Sequence, residues 1–238
     1  MKPALFVIAL GLVAPRAGFA QQGWEVPKPA VDLKPGTAKY KVTLRAKGET
    51  ATMDVTRVTR SQNGRWVVTN TTRLGDHVQT DEITVDKKTL IIRKRLFRNG
   101  GDVADLVFIG NTVAGTISDS RQKASVNADL GGVIFADGSG GEDVLAALPL
   151  AKGYSTEFRN FNIGSQLVKT LNLRVMAAEK VTVPAGTFDA WKVEIKPADG
   201  STGESTTLWV DKASRRALKT VTVLPQMNGA TATAELVK

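Results

Sequence analysis

The chain of 238 residues has no cysteine and a single histidine, His77. The first absence excludes disulfides, thiolate nucleophiles and thiolate metal sites. The second leaves zinc only a rare set of one imidazole plus carboxylates, and gives a Ser–His–Asp arrangement one place to exist. His77 lies in Gly75-Asp76-His77-Val78, a turn entering a strand, where a solvated ring is expected. No Gly-x-Ser-x-Gly elbow occurs. Gly138-Ser139-Gly140-Gly141 has the composition of a phosphate loop without its Gly-Lys-Ser/Thr ending, and reads as a flexible linker. Asp81 and Glu82 are adjacent on a strand, so they face opposite sides and cannot share a proton. Glu142 and Asp143 open a helix, where acids suit the macrodipole and capping. The chain is therefore read as non-enzymatic, with no catalytic residue, no cofactor and no metal.

Aromatic residues make up 6% of the chain, too few beside 32 lysines and arginines to form a nucleic-acid surface. Long apolar runs are also missing. The longest, Ala4 to Val13, is shorter than the roughly 20 residues a membrane-spanning helix needs. It follows Met1-Lys2 and precedes the small residues Gly18 and Ala20, which is the pattern of a Sec-type signal peptide cleaved after Ala20. A periplasmic or secreted protein is expected, with no integral membrane segment after processing. No cysteine follows the cleavage site, which excludes a lipoprotein anchor. Processing removes Lys2, Arg16 and no acid, so the net charge falls from +9 to +7. The charges are dispersed, as on a solvated surface.

What is present is a succession of short alternating segments. Residues 21–36 carry Pro27, Pro29 and Pro35 and read as a loose, extended leader. From Thr37, Tyr40, Val42 and Leu44 alternate with Lys41, Thr43 and Arg45, and a second strand returns through Lys47-Gly48. Asn63-Gly64 is a strong hairpin signal before Trp66-Val67-Val68. The segments 78–85, 90–97, 103–109 and 113–117 continue an antiparallel meander. Arg93, Lys94, Arg95 and Arg98 fall on both faces of one segment, which suggests an exposed or edge strand, or a docking patch for an anionic partner. Residues 129–149 differ: a glycine-rich loop, then a short helix from Glu142 to Leu148, apolar at Val144, Leu145 and Leu148 and ended by Pro149. It serves either as a plug on the sheet or as a movable lid.

Strands resume at Tyr154, and the most patterned stretch runs from Val181 to Asp211. Pro184-Ala185-Gly186 reads as a turn, with positive φ at Gly186. Beyond it Trp191, Val193 and Ile195 alternate with Lys192, Glu194 and Lys196. Ile83-Thr84-Val85-Asp86-Lys87-Lys88-Thr89 is echoed by Leu208-Trp209-Val210-Asp211-Lys212-Ala213-Ser214, and Trp66 precedes the first as Trp191 precedes the second. The expected fold is mainly β: a strongly curved antiparallel sheet, a half-open barrel or clam, with one short helix. Its single domain, 37–238, would consist of two similar halves, about 37–128 and 150–238, joined through 129–149.

Val183 to Glu194, with Leu208-Trp209-Val210-Asp211, resembles an uncharacterised bacterial family of exported proteins. These share a V-P-A-G-T-F hairpin and a W-[VI]-D-K strand, and Leu148 to Tyr154 resembles the segment before that hairpin. The resemblance implies a curved antiparallel sheet, distantly similar to the half-barrels of lipoprotein-localisation carriers, and no catalytic residues. The expected function is binding of an apolar ligand, a lipid or a lipoprotein, in the cell envelope. Trp66, Leu173, Phe188, Trp191 and Val193 are the candidate lining residues; plain core is the alternative for each. The rival reading is an envelope-assembly module that binds protein partners by a sheet edge.

Overall fold

A computed structural model describes residues 25–238. The expected signal peptide and the first residues of the leader lie outside them. Eight strands come first: β1 (Gly36–Ala46), β2 (Glu49–Gln62), β3 (Arg65–Leu74), β4 (His77–Asp86), β5 (Ile92–Asn99), β6 (Asp102–Ile109), β7 (Thr112–Ser118) and β8 (Lys123–Asp129). A crossing segment follows, carrying the helix α1 (Gly141–Ala146). Six strands complete the chain: β9 (Ser155–Asn162), β10 (Leu167–Val183), β11 (Gly186–Pro197), β12 (Ser205–Asp211), β13 (Ala217–Leu224) and β14 (Ala230–Val237).

Every pairing is antiparallel, and consecutive strands pair with each other except β8 and β9, which the crossing segment separates. One further pairing joins the first strand to the last, from Lys39 opposite Val237 to Arg45 opposite Thr231. One 14-stranded sheet results, with β8 and β9 at its two edges. Tight turns make this economical. At Asn63-Gly64 both central residues have positive φ, 50° and 70°, the turn whose twist matches a hairpin.

The sheet has one filled, concave face. Across it run Val68 opposite Ile83, Ile83 opposite Arg95, Arg95 opposite Leu106, and Gly115 opposite Val126. Gly115 is required here, because a Cβ would stand 2.0 Å from the Asp105 carbonyl oxygen. Val144, Leu145 and Leu148 of the helical segment are all buried against this face, in one core with Trp66, Leu173 and Val193. The helix is a plug.

Three expectations need correction. The leader is extended but not loose: Leu33 is in the core, Trp66 Nε1–H donates to Asp32 Oδ1 at 2.9 Å, and the Ala30 and Val31 N–H groups donate to the Ala147 carbonyl. The glycine-rich loop is not a flexible linker. Ser139 is buried, and a Cβ on Gly140 would meet Val68 Cγ1 at 2.5 Å. Its glycines serve close approach rather than freedom. The basic cluster at 93–98 is not on an edge either, since β5 pairs with β4 on one side and β6 on the other. It tolerates charge because Arg93 sits in a bulge, Lys94 pairs outward with Asp105 at 3.0 Å, and Arg95 pairs inward.

The echoed segments adopt matching turns. Asp86 Oδ1 accepts from the Lys88 and Thr89 N–H groups and the Thr89 hydroxyl. Asp211 accepts from the Ala213 and Ser214 N–H groups and the Ser214 hydroxyl. Leu90 and Arg215 hold positive φ at corresponding places, 53° and 57°. A bulge interrupts each pairing, at Thr84/Val85 and at Trp209/Val210. Trp66 lies opposite Val85 under Lys87, and Trp191 lies opposite Val210 under Lys212.

The β10–β11 hairpin outruns its neighbour. β12 leaves β11 at Ala190, so Val181 to Asp189 project past the sheet and fold over its end. The Ala185 N–H donates to the Leu236 carbonyl at 3.1 Å. Val183 and Ala190 pack there with Tyr40, Leu218 and Leu236, and Phe188 joins this second cluster. Gly186 has φ +142°, as its place beside the turn demands.

Two stability predictions follow from these contacts. Gly186→Val should destabilise the protein by roughly 1 kcal/mol or more, read as a lower denaturant midpoint. Leu145→Ser with Leu148→Ser removes two buried side chains from the plug. It should cost more than about 4 kcal/mol of global stability, and add no saturable dye site beyond any the wild-type fold has.

Candidate functional site

Two arginines project from the sheet into its concave face, where burial alone would oppose their charge. Arg57 on β2 is held on every side. Its Nε–H donates to Asn70 Oδ1 at 2.9 Å, Nη1 to Asp143 Oδ1 at 3.1 Å and Nη2 to Glu142 Oε2 at 2.8 Å, and its guanidinium lies 5.0 Å from the Tyr40 ring centre. Tyr40 in turn donates its hydroxyl to the Ala217 carbonyl at 2.9 Å. Glu142 and Asp143 thus clamp the helix to β2; the N-cap position, Gly140, makes no side-chain cap. Burial disfavours the Arg57 charge, but the two carboxylates outweigh it and raise the pKa above the ordinary value.

Arg95 on β5 repeats the arrangement. Nε and Nη2 form a fork onto Asp81 at 3.1 and 3.0 Å, and Nη1 donates to Asp137 Oδ2 at 2.9 Å. The Ser139 N–H adds a third bond to Asp81, at 2.9 Å, and the Ser139 hydroxyl donates to the Val68 carbonyl at 3.2 Å. Gly138 permits this approach, because a Cβ there would meet Arg95 Nε at 2.6 Å. Asp81 points inward and Glu82 outward to Arg60, as alternation requires. The two clusters fasten the crossing segment at 137, 139, 142 and 143.

Beside the Arg95 cluster the concave face opens. A cleft of about 440 Å³ lies between β4–β6 on one side and β9 with its following turn on the other. Gln79, Asn99, Asp102 and Asn160 line it with polar groups, Phe97, Phe161 and Ile163 with apolar ones, and Arg95 and Asp137 reach it as well. The walls are tied behind the cleft. The Phe135 N–H donates to the Arg159 carbonyl, the Ile92 N–H to the Ile134 carbonyl, and Phe161 meets Phe108 edge-on at 6.1 Å.

None of the five lining candidates reaches this cleft. Trp66, Leu173 and Val193 are buried in the main core, Trp191 is half-buried at its margin under Lys212, and Phe188 belongs to the second cluster. His77 is exposed, with Nε2 2.5 Å from Asn99 Oδ1. Among the described residues no three or more histidines and acids gather as a metal site, and no helix is long and apolar enough to cross a membrane. Missed by the pattern were Arg57 and Arg95. Their signal was phase: each occupies an inward position, Arg95 in step with Phe97.

Burial raises the carboxyl pKa of Asp137 and of Asp143, against the pull of Arg95 and of Arg57 respectively. A raised folded pKa means the native state holds the proton more tightly than the unfolded chain. Their contribution therefore favours the fold below the ordinary carboxylate value near pH ~4, and is lost as pH rises through the folded value. Asp137→Asn should flatten that part of the stability–pH curve, measured by denaturant unfolding in a pH series.

Among curated proteins none matches the chain. A solved β-barrel-like protein of a domain of unknown function, DUF1849, from Brucella abortus shares the fold. The TM-score is 0.57 at 14% identity, over 88% of this chain and 98% of that one. A protein of YmcC-like fold from Bacteroides fragilis aligns with TM-score 0.34 at 9% identity, over 88% and 97% of the two chains. The sequence model of the family described as protein of unknown function (DUF3108) matches residues 37–237, and the chain belongs to that family.

Proposed function

We propose that the protein is an exported, non-enzymatic binding module of the cell envelope, and that its ligand is an amphiphile seated in the cleft beside Arg95. The cleft carries this reading. Elsewhere on the concave face side chains and α1 take most of the space, and the cavity beside Arg57 and Tyr40 is only about 70 Å³. The larger opening, about 440 Å³, is of the size small ligands occupy. Its two chemistries match an amphiphile. Phe97, Phe161 and Ile163 offer an apolar wall, while Gln79, Asn160 and Asp102 offer hydrogen bonds at the polar side. The cleft presents no paired nucleophile and base: Arg95, Asp81 and Asp137 are engaged with one another. Export rests on the charged start, apolar run and small-residue cleavage site of residues 1–20.

A fluorescent aromatic amphiphile, anilinonaphthalene sulfonate, tests the site. Titration should saturate at one equivalent of the folded protein. Ile163→Trp, which narrows the cleft, should weaken binding at least tenfold while the β circular-dichroism signal and the unfolding midpoint stay near wild type. Saturable binding that is indifferent to both Ile163→Trp and Phe97→Ser, or no saturable binding at all, would overturn the proposal.

A further inference from the structure

The two edges of the sheet are not alike. At β9 the crossing segment bonds to the Arg159 carbonyl, so that edge is partly covered. At β8 the outer side has no strand partner among the described residues, and no turn or loop hydrogen bond reaches Lys123 to Asp129 there. Free edges usually carry protection: a proline, a bulge or a central lysine. β8 has none of these. Its register with β7 runs unbroken from Lys123 opposite Ser118 to Asp129 opposite Thr112, and its one lysine stands at the end.

The sequence of this edge is complementary to itself. In Lys123-Ala124-Ser125-Val126-Asn127-Ala128-Asp129, an antiparallel copy centred on Val126 sets Lys123 opposite Asp129, Ala124 opposite Ala128, and Ser125 opposite Asn127. That register uses the full length of the strand. It places unlike charges across from each other at both ends, small residues within, and Val126 against Val126 on the concave side. Opposite charges directly across a strand pair attract, and like charges repel. Lys123 and Asp129 are both exposed, and Lys123 makes no ion pair among the described residues. We propose that β8 pairs with β8 of a second copy about a two-fold axis at Val126, joining two sheets into one in a homodimer.

One strand of seven residues is a small interface beside the roughly 1,600 Å² of a standard complex, so the dimer should be weak and concentration-dependent. Sedimentation velocity of purified protein over a range from micromolar to millimolar should show a reversible monomer–dimer equilibrium. Lys123→Glu sets two like-charge pairs across the axis and should weaken the dimer roughly tenfold. Asp129 also accepts from the Gly131 N–H at 2.8 Å, so Asp129→Lys is used only after its unfolding midpoint has been shown to match wild type. Mixing Lys123→Glu protein with Asp129→Lys protein restores unlike charges at both ends, and should recover wild-type association to within about threefold. Should Asp129→Lys misfold, amide exchange decides instead: residues 123–129 should gain protection as concentration rises, and lose that gain in Lys123→Glu. A protein monomeric at every concentration, or a dimer unaffected by Lys123→Glu, would overturn the proposal.

Discussion

The arginine–carboxylate clusters inside the concave face are the interaction on which the rest of this structure depends. A curved antiparallel sheet leaves an inner surface that must be covered. Here the cover is one segment of the chain, drawn from one edge of the sheet to the other. A six-residue helix is too short to hold itself together in water. Arg57 and Arg95 fix it in place through Glu142, Asp143 and Asp137. Buried ion pairs of this kind add little net stability compared with apolar packing, but losing one partner is costly. Their service is to specify where the plug sits, and the glycines at 138 and 140 let it sit close.

That fastening also shapes the candidate site. The core under Trp66, Val68 and Leu148 is closed, and the wider opening among the described residues lies where the crossing segment turns away from β5 and β6 toward β9. The cleft is then bordered by the same Arg95 that fastens the plug. A ligand bound there would lie within reach of an ion cluster that fastens the segment carrying α1.

The period-two patterns made the strands legible, and Asn63-Gly64 and Pro184-Ala185-Gly186 marked turns that the fold contains. Recurrence of Val-Asp-Lys marked two turns whose hydrogen bonds correspond almost atom for atom. The site was far less legible. Glycine density at 138–141 looks the same whether backbone freedom or close approach demands it, and only the neighbours Val68 and Arg95 decide. A run of basic residues looks exposed unless their acids are known, and Asp137 lies 42 positions from Arg95. Trp66, Leu173 and Val193 faced inward as their phase indicated, yet facing inward does not separate a lining residue from a filled core.

The pairing of β1 with β14 bears on how the molecule is made. Lys39 meets Val237, so the sheet is joined through its first and last strands. Contacts between such distant positions form late and slowly. Until the last strand is released, β1 presents an unsatisfied row of amides and carbonyls. An early meander of β1 to β8 would wait with both of its margins open, exposed to misassociation. The sheet cannot close on itself at this seam before β14 is available to pair with β1.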